Sequence, residues 1–268
     1  MNKESVLDLL KHYTKHKYIE LTSRGNDAIL TALLIAKSLS KKKVIIPDQG
    51  GWFSYRTYPK KLGLEVVEIK TDYGLIILDI LKKSLDNESV FLYANPAGYF
   101  AHQDIKKIYE VCNNKSLVIL DVSGCIGDKS LCDGDYADIM VCSFGRWKPV
   151  NVGYGGLISS KKDYLMEAFS EFDKKYADVL YKKLLSVRDR LKFFYDKCEK
   201  IKKDLNMFKI IYSDRKGINV VVRFDNCKEK EKILSYCQDK GYEWTLCPRY
   251  IRVNVNAISI EVKRIKNG

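Results

Sequence analysis

The sequence has little proline and no low-complexity segment. Only 5 of its 268 residues are proline, whereas 46% are hydrophobic and 30% are charged. This composition is typical of a folded globular chain and excludes a disordered or fibrous class. We find no internal repeat, and a chain of this length can bury a substantial core.

Long apolar runs and paired cysteines are also missing. The first twenty residues mix charged and apolar residues at helical spacing, and no later window reaches membrane-spanning length. The 8 cysteines are scattered, with neither a C-x-x-C pair nor the histidine spacing typical of zinc sites. We therefore predict a soluble cytoplasmic protein with no metal, whose thiols are reduced and mostly buried.

The net charge of +13 has two interpretations. It could be the electrostatic footprint of a site for nucleic acid or for a phosphorylated substrate. It could equally be a lysine-rich solvated surface, and the lysines are dispersed beside acidic residues along helix-like segments such as 228–240. This dispersal favours the solvated surface, and nucleic acid stays an open but disfavoured partner.

The order of apolar segments predicts an α/β fold. Short β-branched runs alternate with helical periodicity between residues 21 and 160, in the strand-like segments KVIIP, EVVEI, SVFLYA, SLVILDV and DIMVCS. Parallel neighbours need long crossovers, so this alternation indicates a large, mostly parallel sheet with helices on its faces. We place this large cofactor-binding domain at residues 1–160.

The remaining residues predict a helical connector and a small C-terminal α+β domain. Residues 161–206 read as one or two long amphipathic helices with an apolar stripe formed by Leu165, Phe169, Phe172, Tyr176, Leu180 and Leu184. We interpret the stripe as packing. Residues 207–268 then contain strand-like MFKIIYS, GINVVVRF, EWTLC and YIRVNV, with a helix at 228–239.

Polar residues follow several of the predicted strands in the large domain. Asp121 closes a strongly apolar strand, where an ionised carboxylate is costly without a cationic partner. Ser143 ends another strand, and Lys148 follows it ahead of a glycine-rich turn. In parallel sheets ligands collect at the carboxyl ends of strands, so these residues are expected to share one site.

One ligand, pyridoxal 5'-phosphate, would use each of these groups. The backbone N–H groups of Gly25, Asn26 and Asp27, at the start of a helix, and the Ser143 hydroxyl would bind its phosphate. Trp52 would stack on its ring and Asp121 would pair with the protonated ring nitrogen. Lys148 would form the Schiff base.

Each residue taken singly also has an ordinary structural explanation. Asp121 could be a turn residue at a strand end, and Lys148 an exposed loop lysine. Asp27 could simply cap its helix, and Trp52 could belong to the core. The cofactor interpretation rests on the order in which the parts occur along the chain, each at a predicted strand end.

Three segments, SRGNDAI, LDVSGC and SFGRWKPVNVGYGG, resemble fold-type I pyridoxal-phosphate enzymes. The similarity is greatest to the DegT/DnrJ/EryC1/StrS sugar aminotransferases and covers roughly residues 21–160. The resemblance implies that Lys148 is the Schiff-base lysine and proton shuttle, and that Asp121 is the ring-nitrogen partner. It also implies a ring-oxygen contact from Asn95 and a homodimer in which Asn151 reaches the partner's phosphate.

The sequence departs from the family pattern near Asp121 and in its C-terminal part. Gly124 stands where the family usually has glutamine, and Leu120 replaces an acidic residue. The C-terminal domain, which normally helps to build the substrate pocket, is short. In it, Arg249 and Arg252 resemble the carboxylate-binding arginine of amino-acid aminotransferases, although a surface strand would also expose arginines.

These observations predict a pyridoxal-phosphate-dependent aminotransferase. By resemblance, it moves an amino group from an amino acid donor, glutamate, to a keto acceptor such as a nucleotide-linked keto-sugar, and an amino-acid acceptor stays open because of Arg252. Two further alternatives remain. One is another reaction of the same fold, such as a lyase, decarboxylase or tRNA-dependent enzyme, and the other is a non-enzymatic regulator that binds the cofactor or nucleic acid.

Overall fold

The central element of the protein is a seven-stranded sheet. The structure is a computed structural model that describes residues 3–112, 114–164 and 171–265. The strands occur in the order β1-β9-β8-β7-β6-β2-β3. Their bounds are β1 Tyr18–Thr22, β2 Lys43–Pro47, β3 Glu65–Ile69, β6 Ser89–Ala94, β7 Ser116–Asp121, β8 Ile139–Ser143 and β9 Gly156–Ser160, and a separate ribbon pairs β4 Thr71–Asp72 with β5 Leu75–Ile76.

Most of this sheet is parallel. β3, β2, β6, β7 and β8 pair in parallel, whereas β9 is antiparallel to both β8 and β1. The carboxyl ends of β1, β2, β6, β7 and β8 therefore lie at one edge of the sheet. This arrangement confirms the predicted large α/β unit, and it is at this edge that the candidate residues were expected to meet.

The strands are apolar because both faces of the sheet are covered. Along β2, Ile45 packs into one core while Val44 and Ile46 pack into the other, and β6 alternates in the same way. The helices of this part are α1 Lys3–Thr14, α2 Gly25–Ser38, α3 Phe53–Lys61, α4 Leu78–Ser84 and α5 Ile105–Cys112. Helix α2 buries Ala28, Ala32 and Leu33 against the sheet beside β8 and β9.

The connector contains two helices, one of the two arrangements that the sequence predicted. Its helices are α6 Ala177–Leu185 and α7 Val187–Asp204, and Ser186 separates them. Residues 161–164 and 171–173 are not helical, so the predicted start at residue 161 was wrong. Of the predicted stripe, Phe172, Leu180 and Leu184 are buried in the core, Tyr176 packs against it half-buried, and Leu165 and Phe169 lie outside the described residues.

The C-terminal residues form a small antiparallel sheet in the order β10-β12-β11. It consists of β10 Val220–Arg223, β11 Trp244–Cys247 and β12 Ala257–Ile260, with helix α8 Cys227–Asp239 between β10 and β11. The strands predicted from MFKIIYS and YIRVNV were wrong. Ile210 makes only an isolated bridge with Val222, and residues 249–253 reverse the chain direction between β11 and β12.

The sequence also predicted mostly buried, reduced thiols and no membrane-spanning segment. All eight cysteines are free, and Cys227 alone among them is exposed. Across residues 3–112, 114–164 and 171–265, no helix combines the length and apolar character needed to cross a bilayer.

Candidate active site

A cavity of about 550 Å³ opens at the carboxyl edge of the large sheet. Residues that follow β1, β2, β6, β7 and β8 line it, and we call them its floor, whereas the lining residues that follow β11 and β12 are called its C-terminal wall. The lining includes these residues named from the sequence: Gly25, Asn26, Trp52, Asp121, Ser143, Lys148, Arg249 and Arg252. The fold therefore brings most of the predicted site residues to one place.

Lys148 lies in a loop after β8, residues 144–155, that backbone hydrogen bonds hold together, and it lines the cavity. The N–H of Phe144 donates to the carbonyl of Gly155, and the N–H of Val152 donates to the carbonyl of Phe144, both at 3.0 Å. The half-buried Lys148 amine lies 5.3 Å from the centroid of the Trp52 ring and 4.4 Å from that of the Tyr99 ring, and it hydrogen-bonds the Tyr99 hydroxyl. Two aromatic faces thus flank the amine.

Asp121 is 6% exposed at the end of β7, and both of its carboxylate oxygens have partners. The Tyr55 hydroxyl donates to Oδ2 at 2.7 Å, and the N–H of Ser123 donates to Oδ1 at 2.8 Å. Burial raises the pKa of Tyr55 well above its ordinary value, so this phenol stays a donor. A carboxylate has about four acceptor sites, so Asp121 can still accept from a cation in the cavity.

The first turn of α2 is pressed against the end of β8. A Cβ on Gly25 would lie 2.4 Å from the Cβ of Ser143, so only glycine fits there. Arg24, which precedes the helix, makes no side-chain cap and also lines the cavity. Gly25, Asn26, Ser143 and Arg24 thus share one corner of the cavity. The N–H of Asp27, predicted to bind phosphate, instead donates to the carbonyl of Arg24 at 3.1 Å.

Trp52 is held in place by Asn26. Its indole N–H donates to the side-chain oxygen of Asn26 at 3.0 Å, which links the loop after β2 to the start of α2. The side-chain oxygen of Asn26 is therefore used by the indole, and any phosphate contact from this residue would come from its backbone N–H. The ring of Trp52 lines the cavity across from Lys148.

Three predicted residues do not line the cavity, namely Asp27, Asn95 and Asn151. The Asp27 carboxylate accepts from the Ser23 hydroxyl beneath the helix start. Asn95 is 1% exposed, and both ends of its amide are bonded within the protein, to Leu131 and Gln103 at 2.9 Å each. The role inferred for Asn95 at the cofactor ring is therefore not supported by its position, because neither amide group faces the cavity.

The two predicted arginines of the C-terminal part have different environments. Arg249 is exposed at the cavity mouth. Arg252 is 2% exposed and gives Nε and Nη2 to the carboxylate of Glu261, at 3.0 and 2.7 Å. Neither arginine lies on a strand, so the alternative of surface-strand arginines was wrong, and the Arg252 fork is already occupied by a protein carboxylate.

Lys263 and Tyr99 were not singled out from the sequence, although both line the cavity. The Lys263 amine lies 2.8 Å from Glu261 and 4.2 Å from the centroid of the Tyr99 ring. Burial lowers the pKa of Lys263 well below its ordinary value. Burial alone would raise the pKa of Glu261, but Lys263 and Arg252 hold it well below its ordinary value.

The sequence carried a partial signal for Tyr99 and none for Lys263. The run NPAG predicts a turn ahead of Tyr99, but it does not say where the ring points. Lys263 is one of many lysines, and only the fold brings it beside the cavity. Cations outnumber acids around this opening, which suits an anionic ligand.

A family model and a curated relative each match part of this chain. Residues 188–267 match the MJ1341 family C-terminal domain. One curated relative, a probable glycine dehydrogenase (decarboxylating) subunit 1 from Staphylothermus marinus, is 30% identical over 141 residues. That match takes in 48% of this chain and 29% of the relative, so the chain spans well under half of the relative's length.

Several solved structures share the whole fold. A putative sugar aminotransferase from Streptococcus pneumoniae in its PMP form has a TM-score of 0.73 at 13% identity, covering 96% of this chain and 85% of that one. A 3-amino-5-hydroxybenzoic acid synthase has a TM-score of 0.74 at 12% identity, covering 98% and 87%. A serine palmitoyltransferase from S. paucimobilis has a TM-score of 0.72 at 14% identity, covering 96% and 70%.

A second family model matches the part of the chain that builds the cavity floor. It is that of the DegT/DnrJ/EryC1/StrS aminotransferase family, and it covers residues 5–183, which is most of the chain. The resemblance inferred from three short segments is thereby confirmed. The chain belongs to the DegT/DnrJ/EryC1/StrS aminotransferase family, a pyridoxal-phosphate-dependent family of fold type I.

Proposed function

We propose that this protein is a pyridoxal-phosphate-dependent aminotransferase in which Lys148 is the point of covalent attachment for the cofactor. The observation that carries the proposal is that Lys148, Asp121, Ser143 and the start of α2 face one cavity. Family membership supports a transferase of this kind. The donor that we propose is glutamate, and the acceptor is a keto compound such as a nucleotide-linked keto-sugar.

The residues present fit the cofactor. The corner formed by Gly25, Ser143 and Arg24 suits a phosphate, because it offers backbone donors, a hydroxyl and a guanidinium. Trp52 offers a flat apolar face that Asn26 fixes in orientation. Asp121 is a buried carboxylate with spare acceptor capacity and no cationic partner within the protein among the described residues.

The proposed reaction needs the cofactor and two side chains, Asp121 and Lys148. When bound, pyridoxal phosphate supplies an aldehyde carbon that reacts with amines and a ring that accepts electron density. Asp121 would keep a proton on the ring nitrogen, and its bonds from Tyr55 and Ser123 fix the carboxylate for that task. Lys148 would hold the cofactor covalently and, once displaced by the donor amine, would carry a proton between carbon atoms.

The C-terminal wall is where we propose that the substrate binds. Arg249 is exposed at the mouth, and a guanidinium matches a carboxylate or a phosphate at two points. Arg252 differs, because its fork is turned to Glu261. We therefore assign the first anion contact to Arg249 and give Arg252 the task of supporting the wall.

We also propose a two-fold homodimer with shared active sites. Asn151 is half-buried in the Lys148 loop and does not line the cavity of its own chain. A residue in that position can serve a neighbouring subunit if the two loops meet across a two-fold axis. Light scattering would test the dimer, and a monomer under assay conditions would remove this role for Asn151.

A second candidate is a decarboxylase that acts on an amino acid. The similarity to a probable glycine dehydrogenase (decarboxylating) subunit favours it, and an exposed Arg249 would suit an amino-acid carboxylate in either reaction. Release of labelled carbon dioxide from glycine without formation of a keto acid would support this candidate. Formation of 2-oxoglutarate from glutamate without carbon dioxide would support the aminotransferase.

The decisive experiment is reductive trapping. The purified full chain is mixed with pyridoxal phosphate, treated with borohydride and digested, and the modified peptide is identified by mass spectrometry. We expect label on Lys148, none after Lys148→Ala, and wild-type labelling after Lys162→Ala, which removes an exposed lysine at the opposite edge of the sheet. Undiminished trapping in Lys148→Ala would overturn the assignment of Lys148.

Transamination itself needs a separate readout. The loaded protein is mixed with glutamate in a single turnover, and both the visible absorbance and 2-oxoglutarate are followed. We expect the absorbance of the loaded form to disappear as 2-oxoglutarate forms in equal amount. A protein that traps the cofactor on Lys148 but yields no keto acid with any amino donor would not be an aminotransferase.

A further inference from the structure

Tyr99 is held in an unfavourable backbone conformation in the turn after β6. Its φ is +70°, in the left-handed region that non-glycine residues seldom adopt, and Gly98 before it has φ +53°. The turn is closed by the N–H of Ala97 to the carbonyl of Ala101 at 2.8 Å, and Ile218 donates its N–H to the carbonyl of Tyr99 at 2.7 Å. Such conformations persist where the surroundings over-determine them, and they cluster at functional sites.

Gly124 makes the space that the Tyr99 ring occupies. A Cβ on Gly124 would lie 2.9 Å from Cδ1 of Tyr99 and 3.0 Å from Cδ of Pro96. Any larger residue at position 124 would push the ring away. The departure from the family's usual glutamine thus has a local explanation, because the tyrosine ring fills the space beside Gly124.

The ring and hydroxyl of Tyr99 are surrounded by cations. The hydroxyl is bonded to the Lys148 amine, and the ring centroid lies 4.2 Å from the Lys263 amine and 5.3 Å from the Arg252 guanidinium carbon. Burial raises the pKa of Tyr99, although the nearby Lys148 opposes the shift. The phenol therefore stays protonated at neutral pH, and it can accept from an ammonium or donate to a free amine.

We propose that Tyr99 is a positioning residue for Lys148, holding the lysine amine at the cavity floor whenever that amine is not bonded to the cofactor. The inference rests on the proposed role of Lys148. Trp52 offers the amine an aromatic face, whereas the Tyr99 hydroxyl is the group with which the amine forms a hydrogen bond among the described residues. Losing this bond lets the amine sample unproductive positions.

The test compares Tyr99→Phe with wild type in the full chain. Pyridoxamine phosphate, which cannot attach to lysine, reports binding through quenching of tryptophan fluorescence, and its affinity is expected to stay within about threefold because the ring is kept. The rate of attachment of pyridoxal phosphate to Lys148, measured by borohydride quench at several pH values, is expected to fall about tenfold, as for loss of a hydrogen bond to a charged group. The pH dependence of that rate is also expected to change shape.

Tyr195→Phe is the matched control, because it removes another half-buried phenol, bonded to Asp128 at 3.0 Å and not lining the cavity. We expect it to attach the cofactor at the wild-type rate.

Gly124→Ala keeps the Tyr99 hydroxyl but displaces its ring, and it is expected to slow attachment even if Tyr99→Phe folds poorly. Wild-type rates and pH profiles in Tyr99→Phe, or a wild-type rate in Gly124→Ala if the former is unfolded, would overturn the proposal. Absence of trapping in wild type would instead reject the role of Lys148.

Discussion

Arg252 and Glu261 form a two-point ion pair inside the protein. Nε of the guanidinium lies 3.0 Å from Oε1 and Nη2 lies 2.7 Å from Oε2, and the two side chains are 2% and 1% exposed. Lys263 contacts the same carboxylate at 2.8 Å. One buried anion therefore holds two buried cations next to the cavity, and this cluster joins the turn after β11 to the residues that follow β12.

We expect Glu261→Gln to lower the free energy of unfolding at pH 7 by about 3 kcal/mol, because it removes the carboxylate that pairs with the buried Arg252 guanidinium. The pKa of Glu261 is held well below its ordinary value in the folded state, so its stabilisation is present above the unfolded pKa and lost as pH falls through the folded one. The difference between wild type and variant should thus shrink below about pH 4. Urea unfolding at several pH values measures it, and equal stabilities at pH 7 would contradict the prediction.

Replacing Arg249 should change the KM for the substrate, whereas replacing Arg252 should change the free energy of unfolding. Arg249→Ala is expected to raise the KM for an anionic donor about tenfold or more while leaving the unfolding midpoint unchanged, because the side chain is exposed at the mouth. Arg252→Ala is expected to lower the unfolding free energy by about 3 kcal/mol, since it removes the two-point partner of the buried Glu261 carboxylate. Steady-state kinetics and urea unfolding on both variants separate the roles, and the opposite pattern would reverse the assignments.

Gly25→Ala should weaken cofactor binding through its phosphate. The added methyl would meet the Cβ of Ser143 at 2.4 Å and push the start of α2 away from β8. We expect the affinity for pyridoxal phosphate to fall at least about tenfold, with little change for pyridoxal, which lacks the phosphate. An equal loss of affinity for pyridoxal, or wild-type affinity of Gly25→Ala for pyridoxal phosphate, would count against this explanation.

His16 should make the protein less stable as the pH falls. It is buried with Nδ1 3.0 Å from the Ser159 hydroxyl and Nε2 3.2 Å from the carbonyls of Gly134 and Ala137. Burial lowers the pKa of His16 in the folded state. The unfolded chain therefore takes up a proton below about pH 6.5 that the folded chain resists, and stability drops over that range.

The measurement for His16 is the urea midpoint at pH 7.5 and at pH 5.5. We expect the midpoint of wild type to fall between these values by more than that of His16→Gln, which has no titrating ring. His12→Gln is a suitable control, because the His12 side chain is exposed in the last turn of α1. Parallel midpoints for wild type and His16→Gln would exclude this group as the source of the pH dependence.

The middle of the large sheet was predictable because β2, β6, β7 and β8 are apolar runs with buried side chains, whereas β1 and β9 were not named as strands from the sequence. Lys148, Asp121, Ser143 and Gly25 could be brought together in advance, since carboxyl ends of parallel strands share an edge. The C-terminal turn was not predictable. The alternating apolar and polar residues of YIRVNV are typical of a strand. The N–H of Arg249 nevertheless donates to the carbonyl of Val253, and the chain reverses its direction there.

Side-chain pairings were the other part that the sequence could not reveal. Asn95 follows a strand just as Asp121 and Ser143 do, yet its amide is used by Leu131 and Gln103. Whether a polar residue at a strand end faces a ligand depends on which loops fold over it. The same holds for Tyr99, whose direction is set by the small size of Gly124.

The turn between β11 and β12 is anchored through Tyr250, Arg252 and Asn254. Gly50 donates its N–H to the carbonyl of Tyr250 at 2.7 Å, and the Asn254 N–H donates to the side chain of Gln49 at 2.8 Å. Arg249 and Ile251 lie between or beside these anchors and face the cavity. A library randomised at positions 249 and 251 alone is therefore a route to new substrate preferences that leaves the lysine and the phosphate corner untouched.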